Sequence, residues 1–274
     1  MNRSALLDAC ADAAQEAGEA ILTVVRRGFE VESKRDSSPV TEGDRAAELV
    51  ILAALARAAP GVPVIAEEEV AAGRIPAHDE LFFLVDPLDG TKEFVRGGDD
   101  YTVNIGLIER GVPTLGVVFA PASGRLHGGS AGLGAWLDEG RGRRQIQTRE
   151  RGDEAIAVAS KSHLNQATVD YLQGAVGTCT YTAVGSSLKF CIVAEGRADI
   201  YPRASPTSEW DTAAGHAVLL AAGGLVDGPD GSSLKYGKTA FFNRGFVATS
   251  GWKPPALDRY LEPFAGGGDL SEGV

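Results

Sequence analysis

Leu84-Val85-Asp86-Pro87-Leu88-Asp89-Gly90-Thr91 is the stretch on which the reading of this chain turns. It closes a continuous apolar run, Leu81 to Val85, of the kind that forms a buried strand. Two carboxylates follow, three residues apart, across a turn that Pro87 restricts, so they can converge at the strand's C-terminal end. Gly90 permits a tight backbone approach, and Thr91 is placed to cap the helix that follows. Exposed amides at Gly90 and Thr91 would make an anion site. A carboxylate pair beside such amides suits a hard cation that bridges to a phosphate. A lone Asp-Pro-x-Asp reads first as a surface turn with a capped helix. The complete segment behind a buried strand favours function.

Outward from this segment, the upstream sequence is helical. Residues 4–27 place Leu6, Leu7, Cys10, Ala14, Ala17, Ile21 and Val24 at helical spacing. A polar stretch, Glu32 to Pro39, breaks the pattern. A second helix spans 42–59, Pro60-Gly61 stops it, and Val62 to Ala66 is a short strand. Downstream, residues 102–109, 114–120, 125–129 and 134–138 read as successive strands separated by Gly/Pro turns. The Gly/Arg-rich segment Asp138 to Asp153 is the best boundary candidate. Beyond it strands at 155–159, 177–183 and 198–201 alternate with helices near 165–173, 186–195 and 212–222, with a last helix from Pro254 to Phe264. We expect an N-terminal α+β half (1–150), a C-terminal α/β half (151–264) and a disordered Gly-rich tail (265–274). Many strands followed by alternating elements suggest a layered α/β or α+β architecture.

The chain has 274 residues, about the size of one large domain or two moderate ones. It can bury a full core without disulfides or a structural metal. Hydrophobic residues make up 44% and charged residues 23%, which excludes disorder and collagen-like repeats. Lys plus Arg total 26 and Asp plus Glu 37, a formal charge of −11. A nucleic-acid binder needs a basic stripe to neutralise phosphates, so that class is excluded. A small phosphorylated substrate is not, because a bound cation reverses the local sign. Cys10, Cys179 and Cys191 are far apart and odd in number, which reads as reduced, buried thiols. Asp8, Asp12 and Glu16 interrupt the start, so it does not read as a secretory signal, and no apolar run approaches a membrane span. The expectation is a soluble cytoplasmic protein without an integral membrane segment. Peripheral association at the inner membrane and oligomeric state are left open.

Further acids stand at strand ends or helix starts. Glu67-Glu68-Glu69 alone would be a solvated face; Asp211 in Trp210-Asp211-Thr212 is most simply an N-cap. Asp44 fits a capping box, Thr41-Glu42-Gly43-Asp44. His78, His127 and His216 have no ligand-like spacing, and with no His/Cys cluster zinc is set aside. All-oxygen ligation points to Mg²⁺.

Four blocks, in order, resemble the lithium-sensitive, magnesium-dependent phosphatase superfamily that includes inositol monophosphatase. They are Pro39-Val40-Thr41-Glu42-Gly43-Asp44, Ala66-Glu67-Glu68, the segment Asp86 to Thr91, and Trp210-Asp211-Thr212-Ala213-Ala214-Gly215. Within it, the chain is similar to the CysQ-type 3′(2′),5′-bisphosphate nucleotidases. The carriers are Asp89-Gly90-Thr91-Lys92-Glu93-Phe94, Ser160-Lys161-Ser162-His163, and Gly185-Ser186-Ser187-Leu188-Lys189-Phe190 leading to Gly196-Arg197-Ala198-Asp199-Ile200-Tyr201-Pro202-Arg203.

The resemblance implies a layered αβαβα sugar-phosphatase-type fold with two sheets and the site between its halves. It implies two or three Mg²⁺ held by Glu67, Asp86, Asp89, Asp211 and the carbonyl of Leu88, with Glu68 a rival for Glu67. Asp44 and Thr91 match the pair that orients and deprotonates the attacking water. Substrate contacts fall on Glu67, Leu88, Asp89, Gly90, Thr91 and Asp211, and on His163, Lys189 and Arg203 for a second phosphate and base. The implied activity is hydrolysis of 3′-phosphoadenosine 5′-phosphate to AMP and phosphate. An inositol- or sugar-phosphate phosphatase with the same metal site is the alternative. A non-catalytic nucleotide- and metal-binding regulator is a third, against which the water-activating pair counts.

Overall fold

The order of the elements follows from where small and apolar residues recur. The computed structural model describes residues 2–33, 39–177 and 179–261. Helix α1 (Arg3–Arg27) is capped by the Asn2 side chain and buries Leu6, Leu7, Cys10, Ala14, Ala17, Ile21 and Val24. On either side of residues 34–38, which lie outside the described residues, β1 (Val31–Ser33) pairs antiparallel with β2 (Pro39–Thr41). Helix α2 (Glu42–Ala58) begins at a full capping box made by Thr41 and Asp44.

The first sheet follows. Strand β3 (Val64–Ala66) leads into α3 (Glu67–Ala71); β4 (Leu81–Asp89) leads into α4 (Thr91–Val95). Strands β5 (Thr102–Glu109), β6 (Val112–Ala120), β7 (Arg125–Ser130), β8 (Gly134–Asp138) and β9 (Arg144–Ile146) complete seven strands in chain order. The segment expected as a boundary thus supplies an edge strand, β9, before the chain crosses over.

The second sheet comprises β10 (Ala155–Ser160), β11 (Cys179–Val184), β12 (Ile200–Arg203), β14 (Leu225–Asp227) and β16 (Phe246–Thr249), in the order β11-β10-β12-β16-β14. Between these strands lie α5 (Gln166–Tyr171), a π-turn at Leu172–Val176, α6 (Leu188–Ala194), the short β13 (Thr207–Ser208), α7 (Trp210–Ala221) and β15 (Phe242–Asn243), which pairs with β13. Helix α7 starts at Trp210, two residues before its expected start.

Three apolar clusters define five layers. Helices α1 and α2 cover one face of the first sheet through Phe83, Val85, Val103, Ile105 and Leu115. Helices α6 and α7 fill the space between the sheets, against Phe82, Leu84, Ile108 and Val118 on one side and Val158, Tyr201 and Phe246 on the other. The outer face of the second sheet packs on Tyr171, Leu172 and Leu257. The order is αβαβα, as the family resemblance implies.

Two local features decide how this scaffold presents its acids. The pairing of β4 with β5 shifts between Asp86, opposite Asn104, and Asp89, opposite Thr102, so three steps on β4 match two on β5. This is a β-bulge at Pro87-Leu88. In a regular strand, side chains three apart face opposite ways. The extra residue returns Asp89 to the face of Asp86, so the strand runs on to Asp89 where a turn was expected. The second feature is a row of glycines. Gly106, Gly116 and Gly129 are cross-strand partners on β5, β6 and β7. A Cβ at Gly116 would stand 2.2 Å from the Ala214 carbonyl oxygen, and one at Gly106 2.9 Å from the Ala214 amide nitrogen. The row lets α7 lie directly on the sheet, with Asp211 in its first turn.

The expected helix 254–264 does not form over its described part. A 3₁₀ turn, Asp258–Tyr260, stands there instead. The Leu257 and Asp258 amides both donate to the Pro229 carbonyl, at 2.8 and 2.9 Å, instead of to a helix ladder, and the segment packs as a strap through Leu257. Residues from 262 onward, including the expected tail, lie outside the described residues. Cys10 and Cys191 are buried and Cys179 half-buried, all three as free thiols. Among the described residues, no helix is long and apolar enough to cross a membrane.

Candidate active site

The bulge of β4, the N-terminus of α7 and the ends of β10, β11 and β12 surround a cleft of about 350 Å³. Glu67, Asp86, Asp89 and Asp211 all line it. Sheet register explains the first pair: Ala66 pairs with Val85 across β3 and β4, so the residues that follow, Glu67 and Asp86, reach the same level. Glu67 lines the cleft; the neighbouring Glu68 is turned elsewhere, its amide donating to Glu48 Oε2 at 2.9 Å.

Donors from the chain hold the three aspartates. Asp86 Oδ1 accepts the Leu88 amide at 3.0 Å, which tightens the bulge. Asp89 Oδ2 accepts the Ser187 amide at 2.6 Å and faces Asn104 Nδ2 at 3.4 Å. The Ser187 hydroxyl donates to Asn104 Oδ1 at 2.7 Å and meets Thr102 Oγ1 at 2.9 Å. Asp211 accepts the Thr207 hydroxyl and the Ser208 amide, the latter at 3.2 Å. Glu209 is the N-cap residue of α7, so Asp211 is not the cap that its sequence context suggests.

Asp44 is 1% exposed and splits its two oxygens. Oδ2 accepts both the amide and the hydroxyl of Thr41, each at 2.8 Å. Oδ1 lies 3.2 Å from the Thr91 hydroxyl, which also lies 3.0 Å from the Leu88 carbonyl oxygen. Thr91 does not cap α4. Gly90 occupies the cap position with φ +94°, and no side chain caps that end. The hydroxyl of Thr91 is therefore turned to Asp44 and the bulge, at the wall of the cleft.

Arg203, Lys189, Lys92 and His163 line the same cleft as the carboxylates. The Arg203 guanidinium donates to the Pro206 carbonyl at 3.0 Å, and the His163 amide donates to Ser160 Oγ at 3.1 Å. Partial burial and the positive charges of Arg203 and Lys92 hold the His163 imidazole below its ordinary range. It acts as a neutral hydrogen-bonding ring. Lys189 is only 2% exposed. Its ammonium donates to the Val184 carbonyl at 3.1 Å and to the Ser186 carbonyl, so it is not a solvated lysine. His127 and His216 serve elsewhere, on Glu195 and Tyr236, and His78 meets Phe82 edge to face.

Sequence reasoning missed Asn104, Ser187 and Thr102, the polar residues that hold Asp89. A signal existed for one: Asn104 interrupts an otherwise apolar strand. Ser187 lies within the Gly185 to Phe190 run that carries the resemblance, but its role on Asp89 was not legible, because that partner lies 98 residues away.

The electrostatics suit a hard cation. Loss of hydration, and then repulsion from Asp211, push Asp89 up to about 7, against the pull of Lys189, the Ser187 amide and Arg203. Like charges confined in this way are relieved by a divalent ion, and every donor these carboxylates offer is an oxygen. Among the described residues, no three acids, histidines or cysteines already stand grouped as a metal cage. The fit thus rests on donor chemistry and charge.

Three comparisons bear on this geometry. The inositol monophosphatase family profile matches residues 2–261. The 3′(2′),5′-bisphosphate nucleotidase CysQ of Salmonella typhimurium is 44% identical over 247 residues, 89% of this chain and 99% of that one. The Escherichia coli protein of the same name is 45% identical over 244 residues, 88% and 98% of the two chains. Among solved structures, CysQ from Bacteroides thetaiotaomicron superposes with a TM-score of 0.76 at 36% identity, covering 90% of this chain and 97% of that one.

Proposed function

The chain belongs to the inositol monophosphatase family, and on that premise we propose that it is a Mg²⁺-dependent 3′(2′),5′-bisphosphate nucleotidase. Its substrate would be 3′-phosphoadenosine 5′-phosphate, and its products AMP and inorganic phosphate. The observation that carries this reading is one cleft lined both by the carboxylates Glu67, Asp86, Asp89 and Asp211 and by Arg203, Lys189 and His163. An inositol phosphatase needs the carboxylates; a second phosphate gives the cations a partner.

Dependence on Mg²⁺ is general to the family. Glu67, Asp86, Asp89, Asp211 and the Leu88 carbonyl would hold two or three ions, which supply charge neutralisation at the phosphate and acidify a water. The chain's own part is positional and basic. The Thr91 hydroxyl donates to Asp44 and accepts a hydrogen bond from the attacking water. The water's proton passes toward Asp44 as its oxygen bonds to phosphorus. The bond from phosphorus to the ribose oxygen breaks, and that oxygen takes up a proton. The Gly90 and Thr91 amides would receive the phosphate oxygens. Arg203 would clamp the second phosphate through two parallel bonds, with Lys189 adding charge and neutral His163 a ring contact to the base. On composition, the working place is the cytoplasm.

The test is phosphate release from 3′-phosphoadenosine 5′-phosphate and inositol 1-phosphate, with and without Mg²⁺, in the wild type and in Arg203→Ala. The reading expects a higher kcat/KM for the nucleotide and collapse of that preference in the variant. Preference for inositol 1-phosphate in the wild type would put the sugar-phosphatase alternative in its place.

A further inference from the structure

Ser186 has φ +48°, a left-handed conformation that residues with a Cβ avoid. It sits at the cleft, between Gly185 and Ser187, where the chain enters α6. This turn aims the Ser187 amide at Asp89 Oδ2, 2.6 Å away. Packing allows little slack beside it: a Cβ built on Gly185 would lie 2.5 Å from the Asp100 Cβ and 2.8 Å from the Asp100 carbonyl oxygen.

Both carbonyls flanking Gly185 and Ser186 converge on one donor. The Lys189 ammonium bonds the Val184 carbonyl at 3.1 Å and the Ser186 carbonyl, one turn back along the chain. It is buried, and the Tyr201 ring stands 5.1 Å away. Two of its three N–H groups are therefore spent on the backbone of the strained turn.

We infer that Lys189 is a positioning residue: it braces the left-handed Ser186 turn so that the Ser187 amide holds Asp89 in place. This rests on reading the cleft as a phosphatase site with Asp89 as a metal ligand. A lysine that only contacted a second phosphate would matter only for substrates that have one. A brace matters for every phosphomonoester, and for the Mg²⁺ concentration that turnover needs.

The test uses the full chain and two substrates, 3′-phosphoadenosine 5′-phosphate and p-nitrophenyl phosphate, which has no second phosphate. Lys189→Met keeps length and removes the donors. We expect kcat/KM to fall about tenfold or more on both substrates, as displaced catalytic groups do. The half-activating Mg²⁺ concentration should rise about fivefold. Ser186→Gly added to Lys189→Met should recover most of both losses, because glycine adopts positive φ without strain. Should Lys189→Met fail to fold, Lys189→Gln, which keeps an N–H for one carbonyl, takes its place with the same glycine rescue. A wild type without Mg²⁺-dependent hydrolysis overturns the functional reading and the brace with it. An active wild type whose Lys189 variant loses only the nucleotide activity, or is not rescued by Ser186→Gly, overturns the brace alone.

Discussion

Removing the Thr91 hydroxyl separates chemistry from architecture more cleanly than any other change in the cleft. In Thr91→Ala, Asp44 keeps both bonds from Thr41 on Oδ2 and loses only the partner 3.2 Å from Oδ1. The fold should survive, since Gly90 and not Thr91 stands at the cap of α4. One lost hydrogen bond to a charged, buried group costs about 1.5–3 kcal/mol. At roughly 2–4 °C per kcal/mol for a chain of this size, the melting temperature should drop by no more than about 12 °C. Turnover should fall much further. A positioned proton acceptor contributes about 10²–10⁴-fold, or about 3–5 kcal/mol of the barrier. The loss belongs in kcat, because the water's proton moves only in the transition state. Thr91→Ser restores the hydroxyl and should stay within about tenfold of the wild type. Steady-state phosphate release at saturating Mg²⁺, with melting curves on the same preparations, measures both quantities. A kcat for Thr91→Ala within threefold of the wild type would falsify the water-orienting role, as would equal losses in Ala and Ser.

Three further outcomes are expected. Asp89→Asn removes a charge at constant volume and should lower Mg²⁺-dependent kcat about a hundredfold or more; its melting temperature in chelator should be unchanged or higher, because repulsion from Asp211 is gone, and a lower one contradicts the charge argument. LiCl should inhibit in the millimolar range or below, on the order expected for a small monovalent ion in a hard-oxygen site, while KCl at equal ionic strength does not; superimposed curves refute this. Gly90→Ala would place a Cβ 2.8 Å from the Asp100 carbonyl oxygen in a φ +94° conformation, and denaturant melts should show a loss of at least about 2 kcal/mol.

Much of the scaffold is legible locally. The helical spacing of Leu6 through Val24, the Thr41-Asp44 capping box and the apolar run before Asp86 are all written within a few residues of one another, and each forms as read. Two local readings misled. Thr91 looked like a cap because a small hydroxyl before a helix usually is one, and the choice of Gly90 depends on the bulge. The 254–264 segment has a helical reading of its own, but the Leu257 and Asp258 amides find the distant Pro229 carbonyl instead.

The sequence by itself determined which residue types stand at the ends of which elements: the acids after β3 and β4 and at the start of α7, and the glycine beside them. These follow from periodicity and hydrogen bonds between near neighbours, whose energies do not depend on the rest of the fold. Only the tertiary structure decided which of them face one another. Asp86 and Asp89 share a face because β4 pairs with β5 out of step. Thr91 meets Asp44 across 47 residues, and Ser187 meets Asp89 across 98. Asp211 arrives because three glycines on adjacent strands leave room for α7. Lys189 turns from the solvent to two backbone carbonyls because a strained turn lies within its reach. Register, layer spacing and burial are properties of pairs of elements, and no single segment carries them.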